Sequence, residues 1–226
     1  MTAAPEAGER VNRWVEADTA VDWAVDYLEG RRSFSFRLQG HDVLREVLAP
    51  RSVTRVLDLG TGDGDTLGRV LTLFPDATGI GVDVNPEMLR RAREQVATAP
   101  WGARAEIVEH DLDAPLLDAF GAFDLVVSSF AIHHCAPARQ HSLYGEVYAH
   151  LEPGGMFANL EHVASPTPEL HATFLRALGK DPDDDDPSNQ LVAVGTQLAW
   201  LRDLGFEQVD CVWKWREIAL LVGVKR

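Results

Sequence analysis

Side chains that could take up a proton stand just after two apolar segments in the second half of the chain. The segment at 123–128 is followed by His133 and His134, and the segment at 155–160 is followed by Glu161. An imidazole with a pKa near ~6.5 suits general base work at neutral pH. We expect His133 to be the base or a substrate-orienting group, and we keep His134 and Glu161 as further catalytic candidates.

The same region permits two other kinds of chemistry. With His162 added, the candidates form a set of imidazoles and a carboxylate, which are common ligands of divalent metals. Cys135 stands beside the histidines, where a Cys-His arrangement could act as a nucleophile. No spacing in the sequence requires a metal, and no other hydrolase motif accompanies Cys135. We therefore expect no metal site and a packing role for this thiol.

A glycine-rich segment lies between a predicted strand and a predicted helix. It contains Asp58, Gly60, Thr61 and Gly62, at the position where open α/β sheets bind ligands. Glycine lets the backbone approach a ligand closely because it has no Cβ atom. A dinucleotide-binding fingerprint requires a glycine where this chain has Asp65, and a carboxylate there would repel a pyrophosphate. The loop therefore favours a cationic or zwitterionic ligand without phosphates.

An acidic side chain ends the next predicted strand. Asp83 follows Gly60 by 23 residues, where a carboxylate can accept hydrogen bonds from both hydroxyls of a ribose. The glycine loop and this acid together indicate a nucleoside ligand that carries no phosphate group.

The elements that position these residues alternate between short β-branched runs and helical spacing from about Val53 onward. Such alternation is typical of βαβ units and predicts an α/β fold with a doubly wound, mostly parallel sheet. The end of the chain predicts an antiparallel hairpin. The predicted strands span 55–59, 79–83, 105–108, 123–128, 155–160, 207–213 and 218–224.

The pattern also predicts helix boundaries and the faces of single side chains. A helix that includes Leu143 and Leu151 is expected to end at Pro153-Gly154-Gly155, and a later helix is expected over 197–204. Trp213 and Trp215 are two apart on a predicted strand, so they share one face. We expect them to pack in the core or at a dimer contact.

The first fifty residues show helical spacing and no strand pattern. Apolar residues at 21–28 and at 43–48 each fall on one face of a helix. With 226 residues and roughly 150 per domain, one domain with additions is expected. We predict an N-terminal helical cap over 1–50, a sheet domain over 51–226 and an insertion at about 163–195. The cap is expected to pack on the sheet and to close over bound ligands.

Five motifs in a fixed order carry a family resemblance. They are the segment Leu57–Asp65, the acid Asp83, the triplet His110-Asp111-Leu112, the strand Phe123–Ser128 and the turn Leu151–Gly155. Their order and spacing resemble those of the class I S-adenosylmethionine-dependent methyltransferases, over nearly all of Val53 to Lys225. The resemblance implies a Rossmann-like sheet of seven strands with S-adenosylmethionine as the cofactor.

The resemblance also implies roles for single residues. Gly60 and Gly62 would lie under the methionine part of the cofactor, Asp83 at the ribose, and Asp111 with Leu112 at the adenine. The remaining candidates for cofactor binding are Asp58, Thr61, Val84, Met88 and Ser128, the last near the cofactor amino group.

Composition limits the partners. The chain has 35 acidic and 21 basic residues, a net charge of -14 that would repel nucleic acid and anionic membranes. It has no apolar run approaching the ~18 residues of a membrane span.

An Asn-Pro-Pro-Tyr motif, typical of amide or base N-methylation, is absent where Ser128-Ser129-Phe130-Ala131 stands. We expect a cytoplasmic enzyme that methylates a small molecule, and a homodimer is one possible oligomeric state of this enzyme. The alternative is a cofactor-binding regulatory or assembly protein without transfer activity.

Overall fold

The computed structural model describes residues 35–183 and 185–226 and contains one seven-stranded sheet. The strand order is β3-β2-β1-β4-β5-β7-β6, and all pairs from β3 to β5 are parallel. Strand β7 runs antiparallel to both β5 and β6, which confirms the predicted C-terminal hairpin. The strands are β1 (Arg55–Leu59), β2 (Thr78–Asp83), β3 (Ala105–Glu109), β4 (Phe123–Ser129), β5 (Leu151–His162), β6 (Phe206–Trp215) and β7 (Ile218–Lys225).

Helices connect these strands and cover both faces of the sheet. A short 3₁₀ turn, Ile132–His134, follows β4 and carries both histidine candidates. The α-helices of the described residues are α1 (Ser35–Leu48), α2 (Asp65–Leu73), α3 (Pro86–Thr98), α4 (Pro137–His150), α5 (Pro168–Ala177) and α6 (Val194–Asp203).

The sheet separates two apolar layers because successive strand residues point to opposite faces. In β4, Leu125 and Val127 face one layer, and Val126 faces the other. The first layer contains apolar side chains of α1, α2 and α5. The second contains apolar side chains of α4 and α6. The strands that carry the candidate residues are therefore held from both sides.

The junction of α4 and β5 differs from the prediction. Helix α4 ends at His150, and Leu151 already pairs with Phe123 of β4. The Pro153-Gly154-Gly155 turn therefore lies inside β5 and not at the helix end. The β4–β5 register shifts there, between Phe123 and Leu125, because the turn inserts extra residues into one strand. Helix α6 also begins three residues before its predicted start, at Val194.

Helix α1 falls in the predicted N-terminal cap and contributes to the core. Leu44 and Leu48 of α1 are buried in the first layer, and Phe36 stacks on Trp215 of β6 with ring centroids 5.0 Å apart. Trp213 is also packed against this layer, so both tryptophans have the predicted core role. The helix predicted over 21–28 lies outside the described residues.

The insertion predicted at 163–195 joins β5 to α6 and contains α5. Phe174 and Leu175 of α5 are buried in the first layer. No helix in the described part of the chain is both long and apolar enough to cross a membrane.

Candidate active site

A cavity of about 520 Å³ opens at the carboxyl edge of the parallel strands. Its walls come from α1, from the start of α2 and from the loops after β1, β2, β3 and β4. Eight residues predicted for cofactor binding line it, namely Gly60, Thr61, Gly62, Asp83, Val84, Met88, Asp111 and Leu112. The edge of the sheet thus brings together segments that are far apart in the sequence.

The glycine loop after β1 lies very close to the segment after β4. Gly60 and Gly62 have φ angles of 68° and 58°, a region that glycine adopts without steric cost. A Cβ atom on Gly60 would lie 2.1 Å from the Cβ atom of Ala131, which no real side chain could occupy. The Thr61 amide donates to the carbonyl oxygen of Val82 at 2.8 Å, which ties the loop to β2. This loop requires glycine for both its conformation and its packing.

Asp83 closes the loop from the end of β2. One carboxylate oxygen accepts from the Gly62 amide and the other from the Asn85 amide, each at 2.9 Å. Each oxygen has a second lone pair, so the carboxylate can still accept bonds from two ligand hydroxyls. Burial raises the pKa of Asp83, and the amide bonds oppose that shift. The geometry matches a vicinal diol such as that of a ribose.

The charges lining the cavity fit a ligand without phosphates. Five aspartates line it, at positions 63, 65, 83, 111 and 113, against the arginines Arg37 and Arg69. Arg69 pairs with Asp65 at 3.0 Å, so its charge is already balanced within the protein. A sulfonium nucleoside suits this acidic site, while a pyrophosphate would be repelled. The residues present therefore fit S-adenosylmethionine.

His110 is a cavity residue that the sequence motif contained but for which we predicted no role. It is buried, and its Nε2 atom has no hydrogen-bond partner among the described residues. Its amide donates to the Asp83 carbonyl oxygen at 2.9 Å, and its ring meets Phe120 edge to face. Burial lowers the His110 pKa, so the ring is neutral at pH 7. His110 lines the cavity together with Leu112, which is two positions further along the chain.

Two predicted cofactor residues lie behind the loop and are not among the cavity-lining residues. The Asp58 carboxylate accepts from the Thr61 hydroxyl at 2.7 Å, and the Ser128 hydroxyl donates to the Leu59 carbonyl oxygen at 2.8 Å. Both side chains are fully buried. Burial raises the pKa of Asp58 to about 7. In this structure they support the backbone that faces the cavity.

Helix α1 supplies three wall residues that no motif predicted, namely Arg37, Leu38 and His41. His41 Nε2 lies 3.3 Å from the hydroxyl oxygens of both Thr66 and Ser129. The Arg37 guanidinium lies 3.9 Å above the ring of Phe130, which itself has a φ angle of 57°. No local pattern could have found these residues, because their role depends on where α1 docks.

The catalytic candidates near the carboxyl ends of β4 and β5 meet in the protein interior. His133 Nδ1 is hydrogen-bonded to a Glu161 carboxylate oxygen, and the His133 amide donates to the other oxygen at 3.1 Å. The His162 amide also donates to Glu161, at 2.8 Å. Burial raises the pKa of Glu161 to about 7 and lowers the pKa of His133. His133, Glu161 and the His162 ring thus form one buried polar cluster.

His134, and not His133, lines the cavity. The two imidazole rings are 4.1 Å apart, so His133 lies directly behind its neighbour. Burial, together with the neighbouring His133, lowers the pKa of His134. Within residues 35–183 and 185–226, no three His, Cys, Asp or Glu side chains are arranged to hold a metal ion.

The chain is similar to known methyltransferases. A family model described as a methyltransferase domain matches residues 56–155. The ubiquinone/menaquinone biosynthesis C-methyltransferase UbiE of Dinoroseobacter shibae is 28% identical over 184 residues, 74% of this chain and 72% of that protein. The carboxy-S-adenosyl-L-methionine synthase of Klebsiella pneumoniae is 29% identical over 199 residues, 79% of each chain.

A solved structure shares the fold. An O-methyltransferase family protein from Burkholderia thailandensis superposes with a TM-score of 0.72 at 24% identity and covers 94% of this chain. The present chain spans 61% of the length of that protein. The domain match, the related sequences and the site geometry agree with the resemblance seen in the sequence motifs. Together the matched domain, the related sequences and the fold indicate a class I S-adenosylmethionine-dependent methyltransferase.

Proposed function

We propose that this protein transfers the methyl group of S-adenosylmethionine to a small-molecule acceptor that loses a proton on methylation. The observation that carries the proposal is the cavity itself. His134 and the glycine loop both line it, and the ring of His133, which is bonded to Glu161, lies 4.1 Å from the ring of His134. The bound cofactor supplies an electrophilic methyl group on a sulfonium. The protein has to align the acceptor with that methyl group and provide a destination for the proton.

Cofactor binding is assigned to the loops after β1, β2 and β3. The backbone of Gly60 to Gly62 would lie against the methionine part, and the carboxylate of Asp83 would accept from the ribose hydroxyls. Val84, Met88 and Leu112 would cover the adenine, since they are the apolar side chains of that part of the wall. These assignments follow from the lining of the cavity and from the lone pairs that Asp83 retains.

Proton removal is assigned to the histidines after β4. His134 would contact the acceptor because it lines the cavity, and His133 would receive support from the Glu161 carboxylate. A pair of this kind serves acceptors such as a hydroxyl or an acidic carbon, because both must lose a proton. A protein that only binds the cofactor would not need a buried carboxylate beside an imidazole, and this favours the enzyme over a regulatory protein.

The size and charge of the site support a small acceptor. The cavity of about 520 Å³ also has to hold the cofactor, so the remaining space suits a compact molecule. The net charge of -14 argues against a nucleic acid partner. Cys135 and Cys211 are both thiols, which supports our proposal of a cytoplasmic location.

Ligand-dependent stability followed by an acceptor screen tests this function. S-adenosylmethionine and its demethylated product should each stabilise the protein by about 2.7 kcal/mol at 100 times the dissociation constant, and NAD should not. A panel of phenols, quinols and small carboxylic acids is then incubated with methyl-deuterated cofactor and followed by mass spectrometry. Cofactor binding without any deuterated product, across the panel and a metabolite extract, would favour the regulatory alternative.

A further inference from the structure

The insertion between β5 and α6 reaches back to the histidine turn. The Gln190 amide donates to the carbonyl oxygen of His133 at 2.8 Å. The Gln140 side chain donates to the carbonyl oxygens of Cys135 at 2.8 Å and Gln190 at 2.7 Å. These bonds hold the segment at 186–190 against the turn that carries His134. The insertion therefore packs against the turn that carries His134 and is not a detached surface loop.

Within this segment, the Ser188 hydroxyl meets the imidazole of His134. Its Oγ atom lies 3.0 Å from His134 Nδ1 and 2.8 Å from Asp186 Oδ1. The Ser188 amide donates to the same Asp186 oxygen at 2.9 Å, which orients the carboxylate. Ser188 is only 1% exposed, so solvent does not compete for its hydroxyl.

The direction of these bonds determines where the imidazole carries its proton. An ionised carboxylate can only accept, so the Ser188 hydroxyl donates its hydrogen to Asp186. The hydroxyl oxygen then presents lone pairs to His134, and Nδ1 has to be the donor. A neutral imidazole has a single N–H, so its Nε2 atom carries the lone pair. Burial favours the neutral ring because it lowers the pKa of His134.

We propose that Ser188 and Asp186 are positioning residues that hold His134 in its Nδ1–H tautomer, so that Nε2 can accept a proton from the methyl acceptor. This inference rests on the proposed function for the role of Nε2, whereas the tautomer itself does not depend on activity. It assigns a part of the proton-accepting machinery to the insertion, 54 residues away from His134.

Nitrogen-15 NMR of the histidine side chains tests the tautomer in the whole protein, with S-adenosylhomocysteine added. The His134 signals, assigned by their loss in His134→Ala, should show a protonated Nδ1 and an unprotonated Nε2. Ser188→Ala should shift the population toward Nε2–H, and Ser188→Thr should restore the wild-type pattern. Ser142→Ala, which removes an exposed hydroxyl on α4, is the matched control and should change nothing.

Kinetics of the same variants separate positioning from a structural role. Ser188→Ala should lower kcat by about 10- to 100-fold, a part of the 10²- to 10⁴-fold that a positioned base contributes. Its affinity for S-adenosylhomocysteine should stay within about twofold of wild type, since that site is assigned to other loops. If NMR of the wild-type protein shows His134 in the Nε2–H form, the proposal is wrong. It is also wrong if Ser188→Ala leaves the tautomer of His134 unchanged. Absence of methyl transfer by a wild type with the expected tautomer would count against the proposed function instead.

Discussion

The imidazole of His133 and the carboxylate of Glu161 are hydrogen-bonded to each other inside the protein, although 28 residues separate them in the sequence. Strands β4 and β5 are parallel neighbours, so the turn after β4, which carries His133, and the last residues of β5, which include Glu161, lie at the same edge of the sheet. The His133 amide donates to the second Glu161 oxygen at 3.1 Å, which fixes the carboxylate in place. Neither His133 nor Glu161 lines the cavity. The ring of His133 contacts the ring of His134, which does line it.

The ionisation of Glu161 should control the pH dependence of turnover. Its pKa is raised to about 7 by burial, and only the ionised carboxylate accepts from His133 with both oxygens. Turnover should therefore rise with pH and level off above about 7, with a slope of about tenfold per pH unit below that value. Rates measured from about pH 5.5 to about pH 9 check this. In Glu161→Gln the step near pH 7 should vanish, and a step that persists would assign it to another group.

Removal of either histidine should separate catalysis from cofactor binding. His133→Ala and His134→Ala should each lower turnover by about 10²- to 10⁴-fold, the range for a lost general base. The affinity for S-adenosylhomocysteine, measured by calorimetry, should persist in both. His150→Ala is the control, since that ring is bonded to the Gly121 carbonyl oxygen at the far end of α4. Near-native turnover in both active-site variants would mean that transfer relies on alignment alone.

Hydrogen bonds to the Asp83 carboxylate should make the largest polar contribution to the free energy of cofactor binding. Asp83→Ala removes the acceptor for ligand hydroxyls and should weaken binding by roughly 1.5 to 3 kcal/mol, the range for a hydrogen bond to a charged group. Titration calorimetry with S-adenosylhomocysteine measures the change. Asp76→Ala, at an exposed turn before β2, should bind as wild type does. An unaltered dissociation constant in Asp83→Ala would remove this residue from the site.

Gly60 should tolerate no side chain. Gly60→Ala adds a Cβ atom 2.1 Å from that of Ala131, in addition to the cost of about 1 to 3 kcal/mol for a positive φ angle. Gly154→Ala is the matched control, since its φ angle is 80° but no atom lies within 4 Å of the added Cβ. Urea unfolding should show a larger loss of stability for Gly60→Ala, together with weaker cofactor binding. Equal losses in the two variants would refute the close contact with Ala131.

Asp58 should make the stability of the ligand-free protein fall as pH rises. Its folded pKa is raised to about 7 from an ordinary value of 3.8, so the folded state binds its proton more tightly than the unfolded state. The contribution is fully present below about pH 4 and is lost between about pH 4 and 7. Asp58→Asn keeps the acceptor for Thr61 but cannot ionise. Its free energy of unfolding should exceed that of wild type increasingly between these pH values, by on the order of 1.4 kcal/mol for each pH unit.

Urea denaturation at several pH values measures this difference. The comparison of the two proteins cancels the other titrating groups, which include Glu161. A difference in unfolding free energy that does not change with pH would show that Asp58 stays ionised in the folded state.

The sequence alone determined the sheet, its order of elements and the position of the ligand edge. Strand and helix periodicities are local, so β1 to β4 could be recognised from a few residues each. The glycine loop and Asp83 were also predictable, because a close backbone approach and a ribose acceptor each need a particular residue type at a particular strand end. The α4–β5 boundary was predicted wrongly, because the side chain of Leu151 suits a helix face and a strand equally well. Leu151 belongs to β5 because it pairs with Phe123 of β4.

Only the tertiary structure decided which residues reach the cavity. His133 and His134 are adjacent and of one type, and the short 3₁₀ turn places one behind the other. Asp58 and Asp83 both lie near the carboxyl ends of neighbouring strands, yet Asp58 is bonded to Thr61 behind the loop while Asp83 lines the cavity. The contacts of Ser188 with His134 and of α1 with the cavity wall join segments with no shared local pattern. Such contacts depend on how distant elements pack, and side-chain periodicity carries no information about that packing.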